Sequence, residues 1–220
     1  MCYYIDGDYM YKEALEILKK INMLGYEAYI VGGYPRDKYL NITSYDIDIC
    51  TNMTPDIIQK NFNVTKNNGY GSLIIDNKFE ITTYRKDTYN KNRFPEIEYV
   101  STLEEDLKRR DFIINTLCID LNGNYIDKLN AKYDLDNKII RTVKNADISF
   151  NEDPLRIIRA LRFKIDLIFS LNDDIINSIN KNKKLLKTIS NKRIEKEINK
   201  TKNKELIYEM IGDVYERKSN

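Results

Sequence analysis

The chain has 220 residues, enough for one large domain or two small ones, and its 42% hydrophobic and 32% charged residues fit a soluble globular protein. It contains no histidine, which excludes Ser-His-Asp and Cys-His catalysis, His-ligated zinc and the usual neutral-pH acid–base group. A net charge of +2 is too small to imply a nucleic-acid partner by itself. No apolar run is long enough to span a membrane, and no basic-then-apolar leader opens the chain. Cys2, Cys50 and Cys118 are too few and too scattered for a disulfide or zinc framework, so a reducing, cytoplasmic setting is expected.

In chain order, residues 9–24 carry Ala14, Leu15, Ile17, Leu18, Ile21 and Leu24 near helical spacing, and Gly25 is a natural stop. Ala28 to Val31 reads as a buried strand ending in Gly32-Gly33. A helix start with Pro35 in its first turn and Arg36-Asp37 follows. Glycine lets the backbone come close to a ligand, and free N–H groups at a helix start favour phosphate, so Gly32, Gly33 and Arg36 are candidates for holding a triphosphate.

The next stretch, Tyr45-Asp46-Ile47-Asp48-Ile49-Cys50, alternates carboxylates with core residues. On a strand Asp46 and Asp48 share one face and Ile47 and Ile49 the other. Two charges about 6 Å apart at an effective dielectric near 20 repel by roughly 3 kcal/mol, which an oxygen-ligated divalent cation offsets. A helix from Thr54 to about Phe62 is expected next. Gly69-Tyr70-Gly71 leads into strands at 72–76 and 78–84, and Glu80 is set among core residues as the two Asp are. Three such carboxylates on neighbouring strands suit two metal ions about 3.5–4 Å apart and displacement at phosphorus.

Residues 86–100 are polar without a clear period and read as a mobile loop beside the site. Ser101, Thr102, Glu104 and Glu105 resemble a capping box, opening a helix expected to carry Arg109, Arg110, Asp111 and Asn115, the last two one turn apart. A β-rich connector is expected over 124–143, and helices from 145 onward. Glu152-Asp153-Pro154-Leu155-Arg156 starts one of these, with Leu155, Ile158, Leu161 and Ile165 as its buried stripe and Arg156 and Arg159 on another face. Residues 181–204 hold ten Lys/Arg against two Glu, a candidate RNA-backbone contact through Lys192, Arg193, Lys196 and Lys200.

Six motifs in this order resemble the class II tRNA nucleotidyltransferases (CCA-adding enzymes) and bacterial poly(A) polymerases of the polymerase β superfamily. They are Val31 to Asp37, Asp46-Ile47-Asp48, Glu80 to Arg85, Leu107 to Phe112, Glu152 to Arg156 and Arg193 to Glu197. The resemblance implies an α+β fold: a nucleotidyltransferase head with a mixed sheet over 1–144, then an all-helical neck over 145–220. It implies Mg²⁺ on Asp46 and Asp48, catalysis by these two with Glu80, and ribose reading by Arg110 and Asp111. Base reading falls to Asp153 and Arg156, and Asn115, Arg159 and Arg162 join the nucleotide-binding set. An Asp acceptor beside an Arg donor matches the amino group and bare ring nitrogen of cytosine and adenine and opposes uracil and guanine.

The implied activity is template-independent addition of CMP and AMP, from CTP and ATP, to the 3′ end of tRNA by a two-metal mechanism. CC-adding, A-adding and poly(A) enzymes are the near alternatives, and a non-catalytic RNA-binding module is the distant one. Pro35 and Lys192 depart from the family pattern. The chain stops at Asn220, where family members continue into body and tail domains. RNA binding is then left to weak contact, to the basic stretch, or to a homo-oligomer or second subunit.

Overall fold

The computed structural model describes residues 7–89 and 95–212. They form two compact units, one of residues 1–110 with 114–132 and the other of residues 111–113 with 133–220. The expected boundary between 144 and 145 falls inside the second unit.

The first unit begins with helix α1 (Gly7–Met23), whose Ala14, Leu18 and Ile21 have no exposed surface. Strand β1 (Ala28–Val31), helix α2 (Gly33–Tyr39), strand β2 (Asp48–Thr51) and helix α3 (Pro55–Asn61) follow. Three strands come next: β3 (Val64–Gly69), β4 (Ser72–Ile75) and β5 (Phe79–Thr83). Strands β6 (Arg85–Thr88) and β7 (Glu96–Tyr99) pair as a hairpin ahead of helix α4 (Leu103–Lys108). The two-residue strands β8 (Cys118–Ile119) and β9 (Tyr125–Ile126) complete a sheet ordered β3-β4-β5-β2-β1-β8-β9. Only β2 and β5 run parallel in it; the other neighbours are antiparallel, so the sheet is mixed as expected.

Alternation along the strands sorts the side chains. Ile30, Ile49, Leu73, Ile75 and Ile81 pack with α1 in one core, while Val31, Cys50 and Tyr84 pack with Leu103 and Leu107 of α4 in another. Asp48 and Glu80 alternate with the first set, and so emerge on the opposite face of the sheet from α1.

Three expectations are corrected here, and one strand stands where none was expected. Residues 64–69 form β3, an edge strand with five of its six residues exposed, whose polar sequence carries no alternation. The 86–100 stretch contains most of the β6–β7 hairpin rather than a featureless loop; its centre, residues 90–94, lies outside the described residues. Helix α4 stops at Lys108, and Ile113–Asn115 forms a separate 3₁₀ turn, so no continuous helix carries Arg109 to Asn115. The 124–143 connector includes helix α5 (Ala131–Asp136).

The second unit pairs strand β10 (Ile139–Ile140) in parallel with β11 (Ser170–Leu171), and is otherwise mainly helical. Its helices are α6 (Ala146–Glu152), α7 (Leu155–Leu167), α8 (Asp173–Asn182), α9 (Asn191–Ile198) and α10 (Lys204–Ile211). The buried side of α7 is shifted from the predicted stripe: Ile158 and Leu161 are buried, Leu155 and Ile165 only half-buried. It includes Ile157, Ala160 and Phe163, and also Arg156, expected on another face. Phe163 meets Phe112 edge to face at 5.6 Å. Among the described residues, no helix is long and apolar enough to cross a membrane.

Candidate active site

Parallel pairing sets Asp48 of β2 directly opposite Glu80 of β5, and antiparallel pairing sets Val31 of β1 opposite Asp48. Asp46 is exposed and lies just before β2. Burial, then the charge of Asp46, then that of Glu80 push the Asp48 carboxyl up to about 7, against the opposing pull of Arg110. Ionising Asp48 here is costly, and a cation would remove that cost. Glu80, however, accepts a hydrogen bond from the Ser72 hydroxyl of β4. Among the described residues, no three acidic, His or Cys side chains close into a metal cage. Magnesium is commonly held by one or two carboxylates together with substrate phosphates and water, so Asp46 and Asp48 still fit it.

Gly32 has φ +85°, and a Cβ built there would sit 3.2 Å from Asp48 Oδ2. Only glycine both tolerates that dihedral and leaves the carboxylate room. Arg36 is buried: its Nε donates to Asp37 Oδ1 (2.8 Å) and its Nη1 to Asn115 Oδ1 (2.7 Å). A Cβ on Gly33 would lie 3.6 Å from Arg36 Nη2. The structure thus gathers Gly32, Gly33, Arg36 and Asn115 at one turn beside Asp48.

Asp48 lines a cavity of about 370 Å³ together with Val31, Glu80, Ser72, Tyr70, Arg85, Arg109 and Arg110 among others. Asp106, with no exposed surface, organises it. Asp106 accepts from Arg109 Nε (2.9 Å), Arg110 Nη2 (2.9 Å) and the Arg85 backbone N–H (3.2 Å). Burial raises the Asp106 carboxyl, but Arg110 and then Arg109 more than offset this and hold it below the usual range. A wider groove of about 740 Å³ along α1 pairs its own charges, Lys78 with Glu13, and gathers no reactive groups.

In the second unit, Arg159 Nε donates to Asp111 Oδ2 (2.6 Å), and Arg159 and Arg162 both reach Glu197 (3.3 and 2.8 Å). Lys200 also donates to Glu197 (2.7 Å). Arg156 Nη1 donates to Ser149 Oγ (2.9 Å) and Glu152 Oε2 (3.1 Å), while Asp153 accepts from Arg193 (3.5 Å). Lys192 and Lys196, one turn apart on α9, are exposed.

Residues 28–141 match the family described as Poly A polymerase head domain. The chain belongs to this family. Other head-domain proteins extend the likeness beyond the matched segment. The CCA-adding enzyme of Ligilactobacillus salivarius is 43% identical over 194 residues, which is 85% of this chain and 48% of that protein. The Bacillus stearothermophilus CCA-adding enzyme, in a crystal structure with CTP, superposes with a TM-score of 0.80 at 36% identity over 87% of this chain and 48% of its own. A tRNA nucleotidyltransferase complexed with a primer tRNA and an incoming ATP analog superposes at 0.67, with 31% identity over 89% and 58%. These head-domain relatives are nucleotidyltransferases. The chain spans about half the length of the curated relatives it matches.

Within this head-domain fold, sequence reasoning missed Asp106, Arg109, Arg85, Tyr70 and Ser72. Asp106 was hidden in the acidic start of α4, where a capping carboxylate is commonplace. Its one distinguishing signal is the spacing to Arg109 and Arg110, three and four residues on. Glu197 closes the Arg193-to-Glu197 motif, but its arginine partners come from α7, which local sequence does not show.

Proposed function

We propose that this chain is a template-independent RNA nucleotidyltransferase that adds CMP and AMP, from CTP and ATP, to the 3′ end of tRNA. The observation carrying this reading is Asp48: it faces Glu80 in register, lies near Asp46 and against Gly32, in a chain whose relatives are named CCA-adding enzymes. Asp46 and Asp48 would hold Mg²⁺, whose chemistry when bound is to neutralise phosphate charge and acidify the attacking hydroxyl, in a two-metal arrangement. Either Asp48 or Glu80 accepts the proton of the RNA 3′-hydroxyl. Gly32 and Gly33 let the backbone meet the triphosphate, with the Arg36 charge beside Gly33 and Asn115 orienting it.

In the same reading Arg110 and Asp111 bind the ribose and Asp153 and Arg156 read the base. Arg159 and Arg162 join the nucleotide-binding set, Arg159 holding Asp111 and both reaching Glu197, and Lys192, Arg193, Lys196 and Lys200 contact RNA phosphates. The head covers residues 1–144 and the neck 145–220.

The matched family's name favours a second reading, A-only addition. Incubating the purified chain with Mg²⁺ and tRNA lacking CCA, one nucleotide at a time, separates the two. The first requires CMP incorporation before AMP; a uniform A tail sinks it.

A further inference from the structure

We propose that Ser72 is a positioning residue for the reaction: its hydroxyl holds the Glu80 carboxylate by one oxygen, Oε1, so that the other, Oε2, is presented to the reacting atoms. The inference rests on the function proposed above and adds to it a residue that acts through Glu80.

The placement follows from register. Strand β4 runs antiparallel to β5, with Ser72 opposite Thr82 and Ile74 opposite Glu80. Ser72 is therefore the diagonal neighbour of Glu80 on the same face, at a separation that a long side chain spans. It is buried, with 7% of its surface exposed, and its hydroxyl donates to Glu80 Oε1. The backbone that carries it is fixed. The Gly71 carbonyl accepts from the Thr83 N–H at 2.9 Å, and a Cβ on Gly71 would meet Tyr99 Cε1 at 2.9 Å. A donor on so constrained a strand removes rotamer freedom from Glu80 before any substrate arrives.

The surroundings set this contact apart from a buried hydroxyl that merely finds an acceptor. Arg85, Arg109 and Arg110 line the same cavity, yet among the described residues none of them pairs with Glu80. Arg85 and Arg109 both pair with Asp87, and Arg109 and Arg110 with Asp106. The arginines are thus engaged by other carboxylates, and Glu80 is held by a neutral donor. A hydroxyl orients a carboxylate without cancelling its charge. An arginine fork would cover both oxygens and compete with any cation or proton they must take. A partner set behind a reactive group in this way fixes its direction and leaves its working atom bare.

The test compares the full chain with its Ser72→Ala, Ser72→Thr and Ser72→Val variants, the last two differing only by a hydroxyl against a methyl group. Steady-state assays with Mg²⁺, CTP and tRNA lacking CCA give kcat and KM, and thermal melts give Tm. Crystal structures of the wild type, Ser72→Ala and Ser72→Thr give the Glu80 rotamer. Ser72→Ala and Ser72→Val are expected to lower kcat about tenfold to a hundredfold, with KM within about twofold and Tm within about 4 °C. Ser72→Thr should stay within about twofold of wild type. Glu80 should keep its rotamer in Ser72→Thr and turn in Ser72→Ala. Wild-type kcat in Ser72→Ala, or equal losses in Ser72→Thr and Ser72→Val with a lowered Tm, would make Ser72 a packing residue and overturn the inference. If the wild type incorporates no nucleotide, the functional reading fails, while a Glu80 that turns in Ser72→Ala alone still stands as positioned by Ser72. A Glu80 unmoved in every variant overturns the inference.

Discussion

Asp48 and Glu80 are register partners across the parallel strands β2 and β5, so one carboxylate is held beside another within a partly buried surface. The resulting strain is electrostatic. Burial first, then the charge of Asp46 and then that of Glu80, push the Asp48 carboxyl up to about 7 from an ordinary value of 3.8. A raised carboxyl binds its proton more tightly folded than unfolded. The stability this gives is full below the unfolded value and is lost as pH rises through about 7.

Metal-free protein is therefore expected to lose roughly 2–4 kcal/mol of stability from this group between pH 5 and pH 8. Mg²⁺ should restore it, raising Tm by several degrees at pH 8 and by much less at pH 6. Asp48→Asn should flatten both dependences. Thermal melts with EDTA and with Mg²⁺ at the two pH values measure this, and an equal Mg²⁺ effect at both would count against metal binding at Asp48.

Gly32→Ala tests the contact behind that carboxylate. The added Cβ meets Asp48 Oδ2 at 3.2 Å on a backbone with φ +85°, so both the turn and Asp48 must shift. A cost on the order of 1–2 kcal/mol in stability is expected. Nucleotide addition should fall about a hundredfold, because displacement of a reacting group by about 1 Å costs that much. Activity near wild type would mean that Asp48 is not placed by this turn.

The elements legible in the sequence were those with a strong period or a fixed stereochemical signal. Helix α1 declared itself by its apolar spacing, the β1–Gly32–α2 turn by glycine and proline, and β2 and β5 by carboxylates alternating with Ile47, Ile49 and Ile81. What stayed hidden has physical reasons. Strand β3 lies at a sheet edge in water and needs no apolar face. Helix α4 was drawn too long because Phe112, Ile113 and Ile114 look like helix core, whereas Phe112 instead forms a β-bridge with Thr142. Arg156 falls off the apolar stripe of α7 in sequence, yet it is buried because Ser149 and Glu152 of the preceding helix supply its partners. Pairings that depend on tertiary approach leave no mark on local sequence.

Asp106→Asn should separate charge from shape at the cavity. The substitution keeps the volume but removes the one charge that both Arg109 and Arg110 share in a fully buried position. Breaking such a pair on one side costs about 3–5 kcal/mol, visible as a lowered urea midpoint at pH 7. Asp106→Leu should be at least as damaging, since it removes both the charge and every hydrogen bond that Asp106 accepts from the two arginines. A variant as stable as wild type would show that solvent, not Asp106, balances these arginines.

The proposed base readers give the sharpest functional prediction. Cytosine and adenine both offer an amino donor beside an unprotonated ring nitrogen, which an Asp acceptor and an Arg donor satisfy together. Arg156 is oriented by Ser149 and Glu152, and Asp153 is paired with Arg193. Asp153→Ala and Arg156→Lys should each lower kcat/KM for CTP and ATP about tenfold to a hundredfold, the 1–3 kcal/mol of a bidentate match. Both should also raise the share of UTP incorporated, since the groups that oppose its carbonyl and ring N–H are gone. Competition assays with paired nucleotides on one tRNA measure the ratio directly. If CTP and UTP lose efficiency equally, these residues support α7 and do not read the base.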